Sequence, residues 1–310
     1  MKPVLSGINL VMAICVTTAF ADQFTWEGSV DRCWGNPASW SGGDGTYPDG
    51  GNDSIAFNND FIDSTKRSPL LLADAATNDM SVTLSGVSVS IATASNRSYA
   101  INNVSGGTGV LYFEDPSDTI VSVGGWIAGS NRITFNVNVV LKSALIINAD
   151  GPSSGNTFFF SAPVSESGGS FSLAKSGPFG ATLTAVNGYS GGTLIQSGTL
   201  VVSGSGTLGS GDVTVQAGSV LDLQTSGTIN DTATLSLGEA AGTYGVVSLA
   251  AGVEEAVGVL MLNGVKAQGM LYGSSAANAV NSSVIVDDNH FSGAGWIVLP
   301  APKATVIVIK

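Results

Sequence analysis

Acidic side chains are the first candidates for chemistry in this chain. Two carboxylates suffice for glycoside hydrolysis, and Glu114, Asp115 and Asp118 stand together, as do Glu254 and Glu255. A polysaccharide lyase would also want Lys or Arg beside the substrate carboxylate, and the basic residues here are scattered without a cluster. Read simply, Glu114-Asp115-Pro116 is a solvated corner and Glu254-Glu255 a turn between strands. His290 is the only histidine, so a Ser-His-Asp arrangement has one base to build from, and no motif supplies its nucleophile or orienter. It is expected as a turn residue in Asp287-Asp-Asn-His. Zinc needs three or four N/S ligands, more than one histidine and Cys33 provide. Asp44-Gly-Thr-Tyr-Pro-Asp49-Gly-Gly-Asn52-Asp53 gathers oxygen donors suited to calcium. It lacks the EF-hand spacing, and Asn, Asp and Gly are also ordinary turn residues, so both readings stand. Trp34 and Trp40 would either stack on sugars or close a core, and packing is the commoner use of clustered aromatics. Glycines never fall as Gly-x4-Gly-Lys-Ser/Thr. The expectation is a chain with no catalytic, cofactor-binding or metal-ligating residues and no cofactor.

Composition narrows the elements that would position these groups. The 310 residues are 44% hydrophobic and 11% charged, with 41 glycines. Ordinary soluble domains carry roughly 25% charged residues and about 7% glycine. Disorder is excluded by the apolar content, and Ser, Thr, Asn and Gly must form most of the exterior. Lys2, the apolar run Ile8 to Val16 and Ala19-Phe20-Ala21 read as a secretory signal cleaved after Ala21. Cys33 is then left alone, a bystander thiol with no internal disulfide to form. The formal net charge is −12, which disfavours nucleic acid as a partner.

The pattern is that of short strands. Ser81 to Leu84, Val87 to Ile91, Gly109 to Phe113, Thr119 to Val123, Arg132 to Val140 and Ala144 to Ile147 alternate apolar and polar residues, with Gly, Asn and Pro corners between them. Phe158-Phe-Phe160 puts a phenylalanine on each face, which predicts an exposed aromatic or an extra packed loop. Three- to five-residue strands broken by glycine suit a chain that coils, each turn burying its apolar face on the next. One turn of such a coil takes about 20 to 30 residues. Ahead of it, Trp26, Trp34 and Trp40 read as a cap over the first open edge.

The clearest repeat is Phe171 to Val202, FSLAKSGPFGATLTAVNGYSGGTLIQSGTLVV. Leu173, Lys175, Gly177, Gly180, Leu183, Asn187, Tyr189, Gly191, Gly192, Thr193, Ile195, Gly198 and Leu200 fall in an order that resembles the autotransporter-associated β-strand repeat. Phe179 is inserted before Gly180, and Ala185-Val186 stands where that family usually has glycine. The Trp26…Trp34-Gly-Asn36…Trp40 segment and the end, Gly269-Met-Leu-Tyr-Gly273 then Phe291-Ser-Gly293, resemble the opening and closing modules of related exported proteins. The second carries one extra residue in its first motif. The resemblance implies a right-handed parallel β-helix, structural or adhesive, with no catalytic residues.

Together these readings predict an all-β chain divided as 1–21 signal, 22–60 Trp-rich cap, 61–250 β-helix turns, 251–298 closing turns and second cap, and 299–310 tail. The expected function is that of an exported, non-catalytic structural or adhesive surface protein. The alternative is a polysaccharide-binding or polysaccharide-cleaving β-helix. Partners would be glycans or other cell-surface components, with self-association, no nucleic acid and no transmembrane anchor. No stretch after Val202 has the ten-residue alternations of a membrane barrel, so passage beyond a first membrane is expected to rest on other machinery. The apolar run of the tail is far shorter than the roughly twenty residues that span a bilayer. It reads as an edge strand or the stub of a sorting signal.

Overall fold

A computed structural model describes residues 22–28, 32–50, 53–57, 69–71, 80–91, 98–103, 105–115, 120–127, 132–150 and 156–301. The expected signal at 1–21 and residues 302–310 of the tail lie outside them. The strand Ala144–Asp150 shows the local rule. Leu145, Ile147 and Ala149 are buried, while Ala144, Ile146 and Asn148 between them are not. That is the two-residue period of a strand with one dry face. Such a strand needs neighbours to cover it.

The neighbours are parallel strands in chain order. Among the described residues one sheet has twelve strands. From Gln23–Trp26 to Val259–Leu262 its order follows the chain and every pairing is parallel. Only its two ends are antiparallel: Trp40–Gly42 folds back on Gln23–Trp26, and Val265–Lys266 on Val259–Leu262. A second sheet of eight strands runs in the same manner from Tyr99–Asn102 to Phe291–Gly293, and a third of four from Val82–Leu84 to Val164–Glu166. The path visits them in rotation. Ile133–Asn136 lies in the second sheet, Asn138–Leu141 in the third and Ala144–Asp150 in the first. Asn156–Phe160, Val164–Glu166 and Leu173–Ser176 then repeat that cycle. Ladder partners later recur 20 residues apart, as in Leu173 with Thr193 and Thr193 with Val213. The architecture is all-β with long parallel sheets, compatible with a β-helix.

The inward positions make one core. Ile101, Phe135, Phe160, Leu183, Val202, Leu223 and Leu249 align along the second sheet and are 0% or 1% exposed. The Phe135 and Phe160 rings stack 4.5 Å apart at 9°. Truncating a phenylalanine in such a ladder typically costs about 3–5 kcal/mol.

Two local expectations need correction. The run 132–140 is not one strand but two in different sheets, Ile133–Asn136 and Asn138–Leu141. Ile133, Phe135, Val137, Val139 and Leu141 are all buried, so the alternation passes through the corner without changing phase and hides it. Glu254 and Glu255 lie in the strand Glu254–Ala256 rather than in a turn. The closing segment also holds a helix, Ser275–Val280, capped by the Ser274 hydroxyl, which accepts from the N–H groups of Ala276 and Ala277. Six residues are too few to show a helical period. At Phe158–Phe160, Phe158 and Phe160 are buried, while Phe159 faces outward beneath the Arg132 guanidinium, 4.9 Å from its ring centre. No helix among the described residues is long and apolar enough to cross a membrane.

Candidate functional site

The tryptophan cluster is packing. Trp26 and Trp34 meet Trp40 edge to face at 4.9 and 4.8 Å, and the three are 0%, 0% and 7% exposed. The Trp34 indole N–H donates to the carbonyl of Pro48 at 2.7 Å, and that of Trp40 to the carbonyl of Trp34 at 2.8 Å. With faces covered and N–H groups satisfied, these rings offer no sugar platform. They pack at the first edge of the long sheet, where Trp40–Gly42 pairs antiparallel with Gln23–Trp26. Cys33, beside them, is 1% exposed and bridges to Leu70.

The acidic loop sits just outside this cluster. Asp22, Asp44, Asp49 and Asp53 line a shallow depression of about 290 Å³. Asp53 Oδ2 accepts from the N–H groups of Asp49 and Gly50, at 3.0 and 2.9 Å. Asp44 Oδ1 accepts from the Thr46 N–H and hydroxyl, and these bonds hold its carboxyl below the ordinary range. Burial, then the neighbouring Asp53 and Asp44 charges, push Asp49 up. The loop's oxygens are thus largely occupied in holding its own turns. Among the described residues no group of three or more His, Cys, Asp or Glu is arranged to hold a metal ion.

The carboxylates suited to sugar chemistry do not converge. Glu114 pairs with Lys142 at 2.8 Å on the surface, where the ammonium also lies 5.1 Å over the Tyr112 ring. The Asp115 N–H donates to the Ser143 hydroxyl, and Asp118 lies outside the described residues. Glu254 is exposed, whereas Glu255 is 0% exposed on the opposite face of the same strand. Its Oε1 and Oε2 accept from the N–H groups of Ile229 and Thr228, at 2.6 and 3.1 Å. Burial raises its pKa, and those two bonds pull it back. Carboxyls on opposite faces of one strand cannot flank one glycosidic bond.

His290 is a turn residue as expected, but a buried one at 6% exposure. Its Nδ1 lies 2.8 Å from Asp287 Oδ2 and its ring is edge-on to Tyr244 at 5.1 Å. Nε2 is buried without a hydrogen-bond partner among the described residues, so no hydroxyl is poised there as a nucleophile. The His290 carbonyl accepts from the Val247 N–H, which ties the closing turn to the second sheet.

The strongest polar arrangement is one that the readings above do not foresee. Lys175 is 0% exposed and lies in the inward ladder between Ile147 and Ile195. Its ammonium donates to the carbonyls of Ser176, Gly177 and Ser197 at 2.6, 3.0 and 3.1 Å. Two successive turns of chain are clamped by one cation, and burial pushes its pKa down to about 8. Asn187 works similarly. Its Oδ1 accepts from the Val164 N–H, and its Nδ2 donates to the Thr207 carbonyl, joining three layers. The Tyr189 hydroxyl meets that of Thr193 at 2.8 Å, and burial pushes the phenol up. The signal available in sequence was phase: Lys175 is two residues after inward Leu173, so alternation sends it inside. An open trough of about 630 Å³ lies nearby over Gly191, Gly192 and Gly211, flanked by Ser172, Ser190 and Asp212. Its floor is bare for a packing reason, since a Cβ at Gly191 would lie 2.4 Å from the Phe171 backbone.

Fold and site together define an all-β protein of long parallel ladders in which the buried Lys175, Asn187 and Glu255 hold backbone groups. Compared with family models, curated proteins and solved structures, the chain finds no match.

Proposed function

We propose that this chain is an exported, non-catalytic β-helix with a structural or adhesive role at a bacterial cell surface. The observation that carries the reading is the rotation of the path through three parallel sheets, each gaining strands in chain order. A coil of stacked turns supports itself by contact between neighbours, and its outer faces are long and shallow. Lys175, Asn187 and Glu255, the polar groups best placed for chemistry, hold carbonyls and N–H groups within the wall. The likeness of Phe171 to Val202 to the autotransporter-associated repeat points to export and to the right-handed sense of the coil. Contacts with glycans along such a face are weak singly and strengthen with copy number.

The test is small-angle scattering of the purified protein together with a polysaccharide panel. An elongated particle of constant cross-section and no release of reducing ends or unsaturated products are expected, with Glu114→Gln and Glu254→Gln unchanged in both respects. A compact particle would end the coil reading. Product release lost on either substitution would establish the enzyme alternative instead. The polar trough over Gly191–Gly192 favours glycan binding as a second reading, and saturable binding removed by Asp212→Ala with folding intact would support it.

A further inference from the structure

The trough over Gly191, Gly192 and Gly211 has a sign of charge as well as a shape. Its floor is main chain: a Cβ on Gly211 would lie 2.4 Å from the Gly192 nitrogen, just as one on Gly191 would meet Phe171. A ligand can therefore settle onto backbone, with Ser172, Ser190 and Thr214 at its sides. Carboxylates stand on the two outer layers. On one, Asp212 is exposed, and its Oδ1 accepts from the Thr234 N–H at 2.8 Å while Oδ2 takes no hydrogen bond among the described residues. On the other, Glu166 accepts from the Phe171 N–H at 2.8 Å and from the hydroxyl of Ser190, itself a trough residue. Burial pushes the Glu166 carboxyl up, but these bonds outweigh it and hold the group below the ordinary range.

No cation nearby balances them. Between Lys175 and Lys266 the sequence holds Asp212, Asp222, Asp231, Glu239, Glu254 and Glu255 but no Lys, Arg or His. Lys175 is buried and spent on carbonyls. Lys266 is reached from Thr214 through Ser236 and Met261. Three strand spacings come to about 14 Å, beyond the screening length of about 8 Å at physiological salt. A depression edged by one sign of charge gathers ligands of the other, so acidic glycans are repelled. Neutral ones find no flat ring to stack on, because none of the lining residues is aromatic. An ammonium gains a charge-assisted bond, roughly twice as strong as a neutral one. A basic peptide would bring the same charge, but extended peptides add to free main-chain edges. Here the Gly191 N–H already donates to Phe171, and the Gly192 carbonyl accepts from Leu173. We propose that the trough binds a glycan bearing free amino groups, with one ammonium on Asp212 and ring hydroxyls on Ser172, Ser190 and Thr214.

This inference rests on the glycan reading of the trough, and four probes separate the failure of one from that of the other. Titration calorimetry of the purified protein, at about pH 5.5 and so above the ordinary carboxylate range, takes a glucosamine tetramer, its fully N-acetylated form, a glucose tetramer and tetralysine. The glucosamine tetramer should bind saturably, at least tenfold more tightly than the other three, and weaken as salt rises from about 0.05 M to about 0.5 M. Asp212→Asn keeps an acceptor for the Thr234 N–H and should cost at least tenfold, with circular dichroism unchanged. Asp231→Asn, exposed in the same stretch but outside the trough, should leave binding as it was. Equal binding of the acetylated or glucose tetramer would overturn the amino-group inference and leave the glycan reading standing. Tetralysine binding as tightly would mean that the trough selects charge and not sugar. No binding of any sugar would end both readings. Equal losses from the two substitutions, or none from Asp212→Asn, would move the contact off the trough and overturn the inference.

Discussion

Lys175 sets a large desolvation cost against three hydrogen bonds. A buried ammonium costs several kcal/mol to desolvate, and three carbonyls from two layers offset that cost. Lys175→Met keeps the volume but leaves those carbonyls without their donor. At about 1–3 kcal/mol for each orphaned group, less the relief of the buried charge, a net loss of roughly 2–4 kcal/mol is expected. A shift in the urea midpoint at pH 7 would show it, and an unchanged midpoint would remove Lys175 from the account of stability. The pH dependence has a definite sign. Folded Lys175 releases its proton near pH 8, and an unfolded lysine near 10.4. Across that window the unfolded chain holds more protons, so this group's contribution rises with pH and falls away as pH drops through 8. The stability gap between the protein and Lys175→Met should therefore widen from pH 7 to pH 10. A gap that narrows would mean the carbonyls hold the charge more strongly than burial expels it. Gly198 makes a sterically harder demand. Its φ is +68°, and a Cβ there would lie 2.4 Å from the Phe179 carbonyl oxygen. Gly198→Ala is expected to cost more than the roughly 1 kcal/mol usual for glycine replacement in a relaxed turn, read by thermal melting.

At the scale of elements, register makes the strongest claim. Val213 pairs with Leu235 and Asp212 with Thr234, one layer being 22 residues there. Removing residues 213–234 joins Asp212 to Leu235 and leaves Thr193 and Ile195 facing Leu235 and Leu237. That variant should fold, shorter by one strand spacing of about 4.8 Å and less stable for losing the Thr228 and Ile229 N–H groups that hold Glu255. Removing half as much should abolish the native circular dichroism, because every later inward residue would meet the wrong neighbour. If both variants fold alike, stacking in register is not what holds the molecule. Much of this was legible in the sequence. Strand positions such as Thr193–Ile195 and Ser219–Leu223 follow from alternation and glycine corners, because local pattern and packing agree there. The corner at Val137 was not legible, since its buried side chain keeps the phase of Phe135 and Val139. Nor was the helix Ser275–Val280, whose cap is a single hydroxyl. Glu255 looked like a turn carboxylate beside Glu254, and only its place in a strand sends it inward to the Thr228 and Ile229 N–H groups. The candidate carboxylates were easy to name as residue types. Their failure to converge depends on which sheet and which face each occupies, and that is a property of the folded path.

For the whole molecule, sequential parallel pairing means that each layer depends mainly on the two beside it. Ends should then loosen before the middle, at a lower free energy than global unfolding. The first end carries its own reporter. Cys33, shut away at 1% exposure beside Trp34, reacts with a thiol reagent only when the tryptophan lid parts. The labelling rate in native buffer, set against the rate for the unfolded chain, is thus a meter of that lid's breathing. Under low urea it should climb well before the far end loosens. Should it stay flat until the entire chain melts, the lid and the body open as one.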